Sequence, residues 1–339
     1  MLRLTLQIVG ALLMLLLVVV AVAVASSRAS LDWERTHREA TRALPLFTGF
    51  GSASEVRIPA GGMELRARIA GTSGEGAILL HGFPTTSAMY TRLLGTASDA
   101  GYRAVAFDQR GYSPDARPDG VESYVTTELA QDVLRVADAV GFERFHLVGH
   151  DWGAVVGWNV ALLAPERVLS WTALSIPHPS AFGEALATDP DQQRRSSYFL
   201  VFRTPWLPET LFTLNRLWLL RSSVYATTPE DEREEYLRVF AEPGALTSAL
   251  AWYRAIDRSI GAAPDTSPQV RVPTLFIWGN RDDAVGRAAV EGQRKYIEGK
   301  YREIELDAAH WLMEENGPRI IAETLSHWDE QRSEVPAAP

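Results

Sequence analysis

Short apolar runs recur along the chain from about residue 55 to residue 307, and between them apolar positions return every three or four residues. Eight runs predict strands: EVRIP (55–59), MELRARIAG (63–71), AILLHG (77–82), YRAVAFD (102–108), FHLVGH (145–150), WTALSIP (171–177), TLFIWG (274–279) and YREIELD (301–307). The first two alternate apolar and polar side chains, as an antiparallel meander with one wet face does. The later ones are continuously apolar, as parallel strands covered by helices on both faces require. Helical periodicity marks 122–140, 152–164, 286–298 and 317–330. Strands alternating with helices predict an α/β domain on a mostly parallel eight-stranded sheet. Between Pro177 and about Pro264 the strand pattern stops and a Trp-, Tyr- and Leu-rich helical pattern takes over. A helical cap at 178–263, inserted into a core formed by 45–177 and 264–332, is the expected division.

The N-terminus follows a different rule. Residues 4–27 carry no charged side chain. A bilayer core about 30 Å thick needs about 20 apolar residues of helix, against about 7–15 for the apolar part of a signal peptide. A single-pass membrane anchor over 1–27 is therefore expected, followed by a polar stalk at 28–44. Secretion after cleavage behind Ala25 is the alternative. Arg3 precedes the run while Arg28, Arg35, Arg38 and Arg42 follow it, so the positive-inside rule leaves the side of the membrane open.

Charge and composition narrow the chemistry. A net charge of −9 without a basic cluster gives nucleic acid no footprint. The absence of cysteine rules out disulfides, thiolate nucleophiles and Cys-based zinc sites. No P-loop, HExxH helix, EF-hand loop or dinucleotide fingerprint occurs, so no metal or organic cofactor is expected.

What remains is nucleophilic chemistry at strand ends. Gly149-His150-Asp151-Trp152-Gly153 has the G-x-nucleophile-x-G spacing of a sharp strand-to-helix turn, with a carboxylate at its tip. A nucleophile so placed needs N–H donors from the residue after it and from the loop after the third strand. Those are Trp152 and, in the loop His81-Gly82-Phe83-Pro84, Phe83. An acid and a histidine should follow in chain order, each beyond a strand. Asp282 follows TLFIWG, with Asp283 as competitor, and His310 follows YREIELD. His146, His150 and His178 also lie near strand ends but have no acid in that order, so a structural role is expected for them.

Together HGFP, DQRGY, GHDWG, WGNRD and AAHW resemble the α/β-hydrolase superfamily, specifically its epoxide hydrolases, over roughly residues 47–330. That resemblance implies two cap tyrosines that hold the epoxide oxygen. The segment YFLVFRTP supplies Tyr198, with Phe202 and Pro205 at the family spacing, and WYR supplies Tyr253. It further implies attack by Asp151 on an epoxide carbon, an alkyl-ester intermediate, and hydrolysis by water that His310, paired with Asp282, activates. The product would be a vicinal diol of a lipophilic epoxide. Haloalkane and haloacid dehalogenases use the same aspartate and are the alternative; a binding module without catalysis is the third reading. Phe83 stands where many haloalkane dehalogenases carry a halide-binding asparagine. Trp206, Phe212 and Trp218 are candidates for a lipophilic pocket or for cap core.

Overall fold

A computed structural model of the chain describes residues 10, 13–22, 32–51, 54–257 and 268–332. Its centre is one eight-stranded sheet: β1 (Ser54–Ala60), β2 (Met63–Ala70), β3 (Gly76–Leu80), β4 (Arg103–Phe107), β5 (Phe145–His150), β6 (Val168–Leu174), β7 (Thr274–Gly279) and β8 (Tyr301–Leu306). The spatial order is β1-β2-β4-β3-β5-β6-β7-β8. Only the β1–β2 and β2–β4 pairs are antiparallel; all others are parallel. Eight strands in a mostly parallel sheet match the expectation from the apolar runs. The side chains of β3, β5 and β7 are buried throughout, as strands covered on both faces must be.

Helices cover both faces. They are α1 (Asp32–Ala43), α2 (Thr91–Asp99), α3 (Thr126–Ala139) and α4 (Trp152–Leu163), then, after the β6–β7 insertion, α11 (Arg287–Gly292) and α12 (Leu312–Arg332). Helix α4 packs on β3, β5 and β6, and α12 packs on β6 and β7. The close approach of α4 depends on Gly157, where a Cβ would lie 2.1 Å from the fully buried Trp171 ring. Between β6 and β7 the chain forms α5 (Pro179–Thr188), α6 (Pro190–Arg195), α7 (Phe199–Arg203), α8 (Leu207–Leu219), α9 (Glu230–Ala241) and α10 (Ala245–Arg254). The expected cap boundary at 263/264 lies outside the described residues.

The N-terminal expectations need correction. The segment expected to span a membrane lies largely outside the described residues. Among its described residues, 13–22 are helical with exposed side chains. No helix among the described residues is long and apolar enough to cross a membrane, so the transmembrane helix has no structural support. The segment expected as a stalk contains α1, which packs on cap helix α9 and buries His37 and Thr41.

Sheet register places the chemistry. Leu80 pairs with Gly149, His150 with Leu174, Leu174 with Ile277, and Gly279 with Leu306. The carboxyl ends of β3, β5, β6, β7 and β8 are therefore level along one edge, where open α/β sheets bind ligands.

Candidate active site

Asp151 stands immediately before α4 at φ 52°, ψ −121°, and its side chain makes no capping bond to the helix. A non-glycine residue at positive φ costs about 1–3 kcal/mol and persists where the surroundings enforce it. Here the strand-to-helix turn does so, and Gly153 lets it close, because a Cβ there would come within 2.0 Å of the Leu80 carbonyl oxygen. The side chain is buried, and Phe83 N–H donates to Oδ1 at 2.8 Å. Gly82 makes room at the same point. A Cβ on it would lie 2.5 Å from Asp151 Cβ, so the glycine is space for the carboxylate itself. Trp152 opens α4, where the first N–H groups of a helix have no intrahelical acceptor.

His310 Nε2 stands 3.5 Å from Asp151 Oδ2, and Nδ1 donates to Asp282 Oδ2 at 2.9 Å. Asp282 is fully buried while the competing Asp283 is exposed, and the Asp282 carboxylate also accepts from the N–H groups of Ala284 (2.7 Å) and Val285 (3.1 Å) and from the Ser175 hydroxyl. Neutral His150 donates from Nε2 to the His310 carbonyl at 2.9 Å, fixing the loop. His150 is held neutral chiefly by burial and then by the charge of His310, which bring its pKa down to about 4.

The charges balance around the imidazole. Burial opposes the charged form of His310, yet Asp282 and Asp151 outweigh it and hold its pKa well above the ordinary value. Burial likewise opposes ionisation of Asp282, but His310, Ser175 and the Ala284 N–H bring it down to about 2. For Asp151 burial is again outweighed, by His310, His150 and the Phe83 N–H, and its pKa is lowered. The resting arrangement is one imidazolium between two carboxylates.

The two tyrosines face this cluster from the insertion. Tyr253, on α10, sets its ring edge-to-face on Trp152 at 4.9 Å and on Phe83 at 5.5 Å; Tyr198, before α7, lies 6.2 Å from Tyr253 between ring centroids. Burial, and then the charges of Asp151 and Asp282, push the Tyr198 phenol up; burial, Tyr198 and Asp151 push Tyr253 up. Both phenols keep their protons at neutral pH. Phe202 and Phe212 close the apolar wall against Phe83, at 5.6 and 6.2 Å. Trp206 and Trp218 do not join it: they are exposed, in neither pocket nor cap core.

Three participants escaped sequence reasoning. Ser175, at φ 77° just past β6, bonds to Asp282 and stands 3.1 Å from His310 Nδ1. Its signal was a hydroxyl at the end of a strand, too common to single out. Arg195 of α6 donates to the Asp282 main-chain carbonyl, tying the insertion to the acid loop. Glu314, in the first turn of α12, has two buried oxygens that meet no donor beyond its own N–H.

Burial, reinforced by the carboxylates of Glu232 and Glu315 against that N–H and His310, pushes the Glu314 carboxyl up to about 7. The folded pKa lies above the unfolded one, so the group favours folding at low pH and loses that contribution as pH rises from the unfolded value through the folded one. Glu314→Gln is accordingly expected to stabilise the protein by about 1–3 kcal/mol at pH 8 and to change little at pH 4. Denaturant unfolding at the two pH values checks it.

A family model described as alpha/beta hydrolase fold matches residues 78–317. Epoxide hydrolase 4 of Homo sapiens is 31% identical over 303 residues, covering 85% of this chain and 82% of its own. Epoxide hydrolase A of Mycobacterium tuberculosis is 31% identical over 316 residues, covering 81% and 97%. Among solved structures, a mutant of an epoxide hydrolase from Bacillus megaterium complexed with its product (R)-3-[1]naphthyloxy-propane-1,2-diol aligns with a TM-score of 0.73 at 26% identity, covering 81% of this chain and 99% of the other.

Proposed function

Because this chain belongs to the α/β-hydrolase family, in its epoxide hydrolase branch, we propose that it adds water to a lipophilic epoxide and releases a vicinal diol. The observation that carries the reading is the pair Tyr198 and Tyr253, two protonated phenols beside a buried carboxylate. A halide leaving group needs no proton, whereas an epoxide oxygen becoming an alkoxide does.

In this mechanism Asp151 Oδ2, the oxygen turned toward His310, attacks an epoxide carbon. The carbon–oxygen bond of the ring breaks, and the phenols donate to the oxygen as it gains charge. Oδ1 remains on the Phe83 N–H and becomes the carbonyl oxygen of the ester. Water then attacks Asp151 Cγ and gives its proton to His310 Nε2, while the Phe83 and Trp152 N–H groups hold the oxyanion on Oδ1. Ester formation prepares this step: it removes one of the two negative charges that hold the imidazole protonated, and the Nε2 proton so released makes good the one the phenols give to the opened oxygen, leaving His310 a neutral base. Collapse expels the ester oxygen, which takes the proton now on Nε2 to complete the diol, and the remaining proton of the attacking water returns from Asp151 to His310, restoring the carboxylate and the imidazolium.

A panel of aryl and fatty epoxides, assayed for diol with halide release from chlorinated and fluorinated substrates in parallel, tests the reading; halide without diol would overturn it. Within that assay Tyr198→Phe and Tyr253→Phe are each expected to slow ester formation by up to about 10²-fold and the double variant by about 10³-fold, since removing one donor to developing charge costs about 2.7–4 kcal/mol where nothing compensates. Rates equal to the parent in the double variant would remove the phenols from the mechanism. Membrane association of the N-terminus is supported by the charge-free run 4–27 alone.

A further inference from the structure

Beyond residues 13–22, six large apolar side chains are exposed among the described residues: Leu46, and then Leu200, Val201, Trp206, Leu211 and Trp218. Five of the six fall within 19 consecutive residues of the cap, on α7, the turn after it and α8. Leu200, Trp206 and Trp218 are 76%, 72% and 56% exposed. Isolated apolar residues on a surface are ordinary; a cluster with two tryptophans is not.

The charges around the cluster point to one partner. The stretch 200–218 contains Arg203, Glu209 and Arg216 as its only charged residues, in a chain of net charge −9. Glu209 is largely buried and paired with Arg254, Arg203 is exposed and paired with Asp257, and Arg216 is exposed. Tryptophan and leucine with arginine among them, and no exposed carboxylate within the stretch itself, is the composition of a surface that lies in the headgroup region of a bilayer. In the chain the 24-residue charge-free run precedes α1, and α1 packs on α9, the neighbour of α8.

The inner face of the same segment belongs to the site. Tyr198, just before α7, and Phe202, within it, pack against Tyr253 at 6.2 and 5.0 Å between ring centroids, while Leu200, Val201 and Arg203 of that helix are exposed. We infer that the α7–α8 face of the cap docks on a lipid surface, so that an apolar substrate dissolved in the bilayer enters across the thickness of one short helix.

The test uses the full chain with vesicles of equimolar phosphatidylcholine and phosphatidylglycerol carrying bromine on the acyl chains. Trp206 and Trp218 should be quenched, and the quenched fraction should disappear in Trp206→Phe/Trp218→Phe. In parallel, Trp206→Ser/Trp218→Ser is expected to raise KM at least about tenfold for a long-chain epoxide presented in vesicles, leaving kcat and the hydrolysis of a small water-soluble epoxide unchanged. This second arm rests on the epoxide reading; the quenching does not, so loss of turnover on every epoxide with quenching intact would sink that reading and leave the docking surface standing. Absence of quenching at the two tryptophans overturns the inference. So does a dimer in light scattering that the serine variant abolishes, which would make the face a contact between two copies, and so does quenching that persists in the phenylalanine variant.

Discussion

Asp151→Ala is expected to bind substrate and to lose at least about 10⁴-fold in diol formation, the scale on which removal of a covalent nucleophile acts. Asp282 cannot take over: it is buried behind His310, on the side of Nδ1, with its oxygens occupied by His310, Ser175 and two N–H groups. Asp151→Asn is the sharper version, because its amide oxygen still accepts from the Phe83 N–H and its volume is unchanged. It should fall as far as the alanine variant while holding the fold of the turn. It carries a second readout as well. With one carboxylate gone, the His310 imidazole keeps only Asp282 to hold its charge, so its pKa, followed by NMR, should drop below the parent value. Diol formation within tenfold of the parent by either variant would end the covalent mechanism.

The sequence displayed this cluster because strand cores and strand ends obey different rules. Residues inside β3, β5 and β7 are continuously apolar, so a Gly, His or Asp that interrupts the run marks where the strand leaves the sheet. Register then levels those exits along one edge, and Phe83, Asp151, Asp282 and His310 meet there, although up to 227 positions separate them along the chain. The readings that failed involve residues whose burial does not follow apolar periodicity. Helix α1 reads as a polar stalk because the side chains it buries, His37 and Thr41, are themselves polar. Helix α2 contributes only Leu93, Leu94 and Ala97 to the core, too few for a pattern. Trp206 and Trp218 look like core from composition, and only their position on the outer side of the cap shows otherwise. Ser175 and Arg195 depend on Asp282, 107 and 87 residues away, and Glu314 on having no donor but its own N–H; local sequence carries no trace of either.

His310→Gln separates the two chemical steps. Ester formation needs only Asp151 and the phenols, so it should proceed, slowed by the loss of the imidazolium that helps keep Asp151 ionised. Hydrolysis needs a base at Nε2, and glutamine has none; turnover should fall by at least about 10⁴-fold. The enzyme should therefore accumulate as the ester, seen as a mass increase equal to the substrate on the peptide containing Asp151. The pH dependence distinguishes a base from a mere structural prop. In the resting protein two carboxylates raise the His310 pKa, and ester formation neutralises one of them, so the imidazole of the intermediate loses its proton more readily than that of the free enzyme. The single-turnover rate of ester hydrolysis in the parent should rise with pH through that lowered value and then level. In the glutamine variant it should be slow and lack that rise. Stability runs the opposite way: with the folded pKa raised, the imidazolium contributes in full below the unfolded value of about 6.5 and its contribution fades as pH climbs through the folded one. A parent hydrolysis rate indifferent to pH across this range, or a glutamine variant that never carries the adduct with a proven substrate, would take the base role away from His310.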